Sequence, residues 1–297
     1  MGSSMLAIVD ADGPAAAARL ALVPAWFEVW EDRLSRFRPA SELNRLNAAA
    51  GMPQPVSGVL WDVVQKAVEA ARVTQGLVSP AIAPALEAAG YDRTFEAIGS
   101  VPSLPAQAPS PTPDWRRLRM DRRVRTICLP AGVRLDLGGI AKGWAADRAA
   151  RRLRVAGPAL VDASGDIAVN GPQADGQPWP IAVADPHQPD GQLDLIMLSH
   201  GAVATSGRDY HRWKRGEEWQ HHIIDPRTSR PADTDVLTAT VVAPTAVEAE
   251  AGAKVALILG SRRGLEWLEA RPGLAGMLVL ENGRVVRSAR MRKHVWR

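Results

Sequence analysis

The chain has 297 residues, of which 46% are hydrophobic and 23% charged, and its net charge is only +4. That length carries one large domain or two small ones around a buried core, while the single cysteine, Cys128, excludes an internal disulfide framework or a cysteine-rich metal site. No run approaches the ~18 apolar residues of a membrane-spanning helix, and the arginines lack the accompanying aromatics of a nucleic-acid-binding face.

In chain order, Met5-Leu6-Ala7-Ile8-Val9 predicts a strand and Asp12-Gly13 a turn after it. An alanine-rich helical stretch leads on to Trp26, Phe27 and Trp30, and Pro24 either breaks it or begins a second helix. Leu60 to Thr74 predicts a longer helix with Leu60, Val63, Val64, Ala67, Val68 and Ala71 on its inner face and Gly76 at its end. Residues 101–114 hold five prolines and almost no large apolar side chain, which describes an extended surface connector, either between domains or within one. The arginine cluster from Arg116 to Arg125 is expected at alternating outward positions on strands. Val124–Leu129 and Leu193–Leu198 predict short strands, with Cys128 a small buried hydrophobe in the first. Thr245 with Glu248 three residues on forms a capping box, and the helix it begins is expected to end at Gly260. Met277–Leu280 reads as a strand and Asn282-Gly283 as a turn. Helices and strands mix without strict βαβ alternation, which points to the α+β class.

Three segments carry chemistry. Arg134-Leu135-Asp136-Leu137-Gly138-Gly139-Ile140-Ala141-Lys142-Gly143-Trp144-Ala145-Ala146-Asp147 predicts a short strand that passes through two glycines into a helix continuing toward Leu153. Glycines admit a ligand close to the backbone, and a helix start offers unpaired N–H groups to anionic oxygens. Lys142, in the first turn, either neutralises a phosphate or lies in solvent. In Gly201–Gly207 the hydroxyls of Thr205 and Ser206 either bind phosphate or satisfy a turn. His221-His222-Ile223-Ile224-Asp225-Pro226-Arg227-Thr228 offers an imidazole that titrates near neutral pH, suited to a general base. Asp225 either orients that imidazole or caps the following turn.

Taken in order, these segments resemble the LDLGGIAKG, ATSG and HHIIDPRTG motifs of the ApbE family. Supporting matches are Phe37–Asn47 (FRPASELNRLN), Gly76–Asp92 (GLVSPAIAPALEAAGYD) and Ala163–Ile167 (ASGDI), so the resemblance covers nearly the whole chain. It implies an α+β fold in which two related antiparallel-sheet-plus-helix halves surround a central flavin site, the chain forming a single domain over 1–297 with the proline-rich connector at about 101–114. The implied activity is transfer of FMN from FAD to a threonine or serine of an acceptor flavoprotein, through an Asp-x-x-Ser/Thr-Gly-Ala-Thr type of motif, with release of AMP. His222 takes the position of the base, with Asp225 beside it in the catalytic pattern. Met1, Phe37, Leu77, Val78 and Ser79 match positions that hold FAD. So do Asp136, Gly138, Lys142 and Ile223, and Thr205, Ser206 and Lys254 are further candidates. Gly139 and Glu250 match positions at a magnesium ion.

The chain also departs from the family's pattern. Ser79 stands where the family usually has Asp, Ser164 for the first Gly of GGDI, and Ser229 for the Gly that ends DPRTG. Where the metal-binding helix usually reads ADALAT, this chain has Ala249-Glu250-Ala251-Gly252-Ala253-Lys254. Glu250 keeps a hard oxygen ligand, but an ammonium only donates and repels a cation. Glu250 and Lys254 therefore read either as a surface i,i+4 pair worth ~0.3–0.5 kcal/mol, or as a device in which Lys254 takes the place of magnesium beside the diphosphate. Hydrolysis of FAD to FMN and AMP, and FAD binding without catalysis, remain the alternative functions. With no basic segment ahead of an apolar core at the amino terminus, the sequence as written reads as cytoplasmic, or as periplasmic or exported if a leader has been trimmed.

Overall fold

The strands read near both ends of the chain, at Met5–Val9 and Met277–Leu280, belong to one antiparallel sheet. In the computed structural model, which describes residues 4–49, 51–98, 109, 111–188 and 190–296, this sheet has seven strands. Their order is Met5–Val9, Ala159–Ala163, Asp166–Val169, Gly201–Gly207, Val236–Ala243, Ala275–Leu280 and Val285–Arg287. Every neighbouring pair is antiparallel. Side chains alternate across a strand, so Val203, Val242 and Met277 reach one face. There they pack on Trp179, Ile181 and Ile196 of the hairpin Trp179–Ala184/Gln192–Leu198. On the other face, Val241 meets Gly252 and Leu268 meets Gly276, so the helix Ala246–Glu269 lies against the sheet there. Up to Ile258 that helix is buried on nearly every side, as its run of alanines, valines and leucines requires, whereas beyond Gly260 only Gly264 and Leu268 are buried.

Contacts divide the described residues into two compact units. The seven-stranded sheet, the hairpin and the long helix belong to one, composed of Ser3–Phe27, Lys142–Asp209 and Thr234–Arg297. The other is composed of Glu28–Ala141 and Tyr210–Asp233. It holds the helices Glu42–Ala48, Gly58–Val73 and Ala83–Ala88 and the small sheet Gln54–Pro55, Thr126–Cys128, Arg119–Asp121. It also holds the hairpin Arg212–Arg215/Glu218–His221. The α+β class with antiparallel sheets is the one the sequence predicts. No helix among the described residues is long and apolar enough to cross a membrane.

Several local expectations are refined. Pro24 begins a second helix: Pro14–Leu20 ends, and Val23–Leu34 starts with the proline in its first turn. Ser57 caps Gly58–Val73 by accepting the Leu60 N–H, and Trp61 joins the buried face whereas Val68 is only half-buried. The strand expected at Val124–Leu129 shrinks to Thr126–Cys128, with Ile127 and Leu129 fully buried and Cys128 half-buried on the opposite side. Of the clustered arginines only Arg119 lies on a strand; Arg116 and Arg117 form a 3-10 turn, and Arg122, Arg123 and Arg125 lie in the turn before Thr126. The helix capped by Thr245 breaks at Gly260, where φ is +78°, but resumes to Glu269 instead of ending. Asp235 restarts it by accepting the Ser261 N–H at 2.8 Å, an N-cap supplied from outside the helix. Of the proline-rich connector, residues 101–108 and 110 lie outside the described residues.

Candidate functional site

In the unit that carries the large sheet, the candidate residues converge on a cluster of charge. The helix Ala141–Leu153 begins directly after the Gly138-Gly139-Ile140 turn, and Lys142 is its second residue. Lys142 Nζ donates to Asp166 Oδ2 at 2.6 Å. Asp166 opens the strand Asp166–Val169 and is 1% exposed. On the long helix Glu250 is 0% exposed. Its Oε2 accepts the Gly143 N–H at 3.1 Å, and its Oε1 accepts from Lys254 Nζ at 3.0 Å. Two ammoniums and two carboxylates are thus held together below the surface. Glu250–Lys254 is no surface pair, and of the two readings left open by the sequence the solvated one is overturned by burial.

Gly143 explains how the two helices come this close. A Cβ there would stand 2.7 Å from the Ala246 carbonyl oxygen and 2.9 Å from the Val247 nitrogen, so only glycine fits. Asp147, one turn further along, accepts the N–H groups of Ala246 and Val247 at 2.9 and 3.3 Å and closes the exposed end of the long helix. Burial pushes the Asp147 carboxyl up to about 6, against the pull of those two N–H groups. Burial likewise raises Asp166 to about 7, with Glu250 adding to the shift and the two lysines opposing it. For Lys142, burial works against the charged form, but Asp166 and Glu250 overcome it and the net shift is upward.

Thr205 and Ser206 occupy the strand Gly201–Gly207 rather than a turn. The Thr205 hydroxyl pairs across the sheet with that of Thr240 at 2.9 Å, its N–H donates to the Gly165 carbonyl at 3.2 Å, and Ser206 is buried.

In the other unit the candidates gather around aromatic rings. Phe37 lies in the turn between Val23–Leu34 and Glu42–Ala48, edge-on to Tyr91 at 5.4 Å, and Tyr91 stacks on Trp213 at 5.4 Å. The Arg36 guanidinium covers both Phe37 and Tyr91, at 4.3 and 4.9 Å from their ring centres, while ion-paired to Asp136. Asp136 Oδ1 accepts the Gly138 N–H at 2.8 Å, so this carboxylate shapes the glycine turn. No strand forms over Arg134–Leu137 as expected. The backbone is tied instead by the Asn47 side chain, which both donates to and accepts from Leu135, and by the Pro80 carbonyl, which accepts the Asp136 N–H. A side-chain amide replaces the neighbouring strand, which periodicity does not register. Ser79 caps the 3-10 turn Pro80–Ile82 by accepting the Ala81 N–H; Val78 is buried and Leu77 half-buried before it.

The two adjacent histidines have different environments. His221 is 8% exposed, its Nε2 lies 3.0 Å from the Ala232 carbonyl oxygen, and its Nδ1 accepts the Ile223 N–H. That pattern requires the proton on Nε2 and makes His221 a brace of the turn. Ile223 is buried, and its carbonyl accepts the Ala232 N–H at 2.9 Å. The His222 ring stands edge-on to Tyr91 at 6.4 Å and to His211 at 5.2 Å. Of the two roles left open for Asp225, the structure shows the turn cap: it accepts the Arg227 N–H at 2.9 Å and pairs with its guanidinium. Met1 lies outside the described residues.

The serines at the two glycine positions keep glycine's backbone, with φ of +60° at Ser164 and +57° at Ser229. Sequence reasoning passed over Arg36, Tyr91, Trp213, Asp147 and Asp166 as individual site residues. Arg36, Tyr91, Asp147 and Asp166 had a signal in their position, in or beside a segment that carries the resemblance, whereas Trp213 lies between two such segments and had none.

The residues do not fit magnesium. That ion takes oxygen ligands in near-octahedral geometry, yet both oxygens of Glu250 are engaged, one by an ammonium. Among the described residues, no group of three or more His, Cys, Asp or Glu side chains is arranged to hold a metal ion.

Comparison with known proteins agrees with the motif order. The family model described as ApbE family matches residues 1–278. A protein of Treponema pallidum named FAD:protein FMN transferase is 32% identical over 278 residues, covering 86% of this chain and 75% of that protein. One of the same name from Salmonella typhimurium is 27% identical over 257 residues, covering 84% and 73%. Among solved structures, the ApbE protein of Thermotoga maritima superposes with a TM-score of 0.85 at 25% identity, covering 100% of this chain and 97% of that one. The fold is also that of the flavinyl transferase ApbE of Pseudomonas stutzeri, with a TM-score of 0.80 at 24% identity and coverage of 99% and 94%. With its motifs in the family's order and the family model matched over 1–278, the chain belongs to the ApbE family.

Proposed function

We propose that this chain is an FAD:protein FMN transferase and that residues 1–297 act as one functional domain. The acceptor is a flavoprotein whose threonine or serine lies in an Asp-x-x-Ser/Thr-Gly-Ala-Thr type of motif. The hydroxyl oxygen of that residue forms a bond to the phosphorus of the FMN half of FAD. The bond from that phosphorus to the bridging oxygen breaks, and AMP leaves with that oxygen. The hydroxyl proton passes to the His222 imidazole. Catalysis of this kind rests on positioning and on charge neutralisation. Lys142 contributes N–H donors to the diphosphate, held in direction by Asp166. Asp225 acts as a positioning residue, since it caps the turn that follows His222. Magnesium has no step in this reading, because the residues that would hold it are occupied by one another.

The observation that carries the assignment is the placement of the His222 ring, edge-on to Tyr91 at 6.4 Å and to His211 at 5.2 Å, directly before the turn that Asp225 caps. The test is incubation with FAD and a domain bearing the acceptor motif. Mass gain of one FMN with release of AMP is expected, and His222→Ala should lower the rate by about 10²-fold or more while FAD still binds. AMP release without mass gain would identify a hydrolase instead. FAD binding with neither product, on an acceptor that a known transferase modifies, would identify a binding protein.

A further inference from the structure

Glu250 sits at the centre of a cluster that holds two cations of the protein's own. Lys254 lies one helical turn beyond it, with its side chain 15% exposed against 1% for Glu250. Lys142 shares the cluster through Asp166 and feels the charge of Glu250 as well. Each ammonium has three N–H donors and, among the described residues, directs one of them to its carboxylate. The remaining donors have a fixed origin because the carboxylates are immobile: Glu250 is also held by the Gly143 N–H, and Gly143 abuts the long helix.

We infer that Lys254, anchored on Glu250, is a built-in replacement for a divalent cation, and that this chain binds the diphosphate of a dinucleotide and transfers its phosphoryl group without a metal ion. The inference rests on the transferase reading for its ligand. Three physical points support it. An ammonium fixed 3.0 Å from Glu250 Oε1 occupies the side of the carboxylate that a metal ion would need. Placing a doubly charged ion there would bring it against like charge from two lysines beside carboxylates that are almost fully buried, where repulsion is screened least. Finally, an ammonium supplies the same service to a diphosphate, charge neutralisation at the oxygens, with N–H donors in place of metal–oxygen bonds. As the bond to the bridging oxygen breaks, the charge that develops on the departing AMP phosphate is met by an ammonium whose own compensating carboxylate is already in place.

The test uses the wild-type chain first, so that it does not depend on a variant that fails to fold. FAD affinity is measured by fluorescence quenching in EDTA and in magnesium, and manganese binding by the loss of the free-ion EPR signal in the presence of FAD. FAD affinity is expected to agree within about twofold between the two conditions, with the manganese signal undiminished. Lys254→Thr, which returns an oxygen ligand to this face, is expected to weaken FAD binding in EDTA by about tenfold or more. It should also gain manganese binding. Wild-type chain that takes up one manganese ion, or whose FAD affinity rises tenfold with magnesium, would overturn the inference and leave the transferase reading standing. Failure of FAD to bind under either condition would bring down both. In the acceptor assay, transfer by the wild-type chain should persist in EDTA, and its loss on chelation would count against the inference alone.

Discussion

At Ser164 and Ser229 the chain has given up glycine without giving up glycine's backbone. Ser164 and Gly165 are the two residues between the strands Ala159–Ala163 and Asp166–Val169, with φ of +60° and +87°. A two-residue hairpin with positive φ at both central positions is the type I′ pattern, which favours Asn-Gly or Gly-Gly. A side chain other than glycine costs about 1–2 kcal/mol in that region. Ser164→Gly should therefore raise stability by about 1 kcal/mol, read as a shift in urea midpoint with unchanged slope. No gain would show that the Asp162 carboxylate, which accepts the Gly165 N–H at 2.7 Å, already compensates the turn. Ser229 is a less direct test, because its hydroxyl accepts the Thr112 N–H and removing it loses a contact along with the strain. The sequence named both serines as departures. What it lacked was the dihedral angle, since a serine's letter does not say which side of the allowed map it occupies.

Among the elements, the meeting of the helices Ala141–Leu153 and Ala246–Glu269 shows what pattern reading finds and what it misses. The capping box of Thr245 and Glu248 was legible because its partners are three residues apart: the Thr245 hydroxyl accepts the Glu248 N–H and donates to its carboxylate. The second cap, Asp147 on Ala246 and Val247, was not, because it comes from about a hundred residues away. The same holds for Asn47 on Leu135, where a side chain stood in for a strand. Local chemistry leaves a local signature, and long-range chemistry leaves one only through a motif already known. Gly143→Ala tests the contact directly. Its methyl would lie under 3 Å from backbone atoms of Ala246 and Val247 that have little room to move. A loss of about 3 kcal/mol is expected by urea unfolding, together with weaker FAD binding because Glu250 is displaced. Stability within about 0.5 kcal/mol of wild type would mean that the helices part without strain.

For the whole molecule, the buried charge should be visible in the pH dependence of folding. Burial raises Asp147 to about 6 and Asp166 to about 7, above the ordinary carboxylate range. A carboxyl with a raised pKa binds its proton more tightly folded than unfolded. Its contribution to stability is complete below about pH 4 and is lost as the pH rises through about 6 for Asp147 and about 7 for Asp166. Each such group lowers stability by at most about 1.4 kcal/mol per pH unit inside its window. Wild-type chain should thus lose more stability between about pH 5 and about pH 8 than Asp166→Asn does, whatever the variant's absolute level. Equal slopes would refute the raised carboxyl. The α+β class, the membership of the family and the identity of the charged helix face were all legible beforehand. The distribution of the chain over two units was not, because each unit is assembled from segments far apart in sequence.

That distribution has a consequence for the order in which the protein can assemble. The edge strand Met5–Val9 is near the start of the chain, yet Met5 pairs with Ala163, and the sheet is complete only when Val285–Arg287 joins it. The other unit likewise needs Tyr210–Asp233 to accompany Glu28–Ala141. Neither unit is a continuous stretch that closes early during synthesis. Contacts so distant in sequence slow folding through the loops that must close first. Until Ala159–Ala163 has been made, Leu6 and Ile8 therefore lie on a strand that lacks its neighbour, and newly made protein should depend on chaperones more than a sequentially folded chain of equal length.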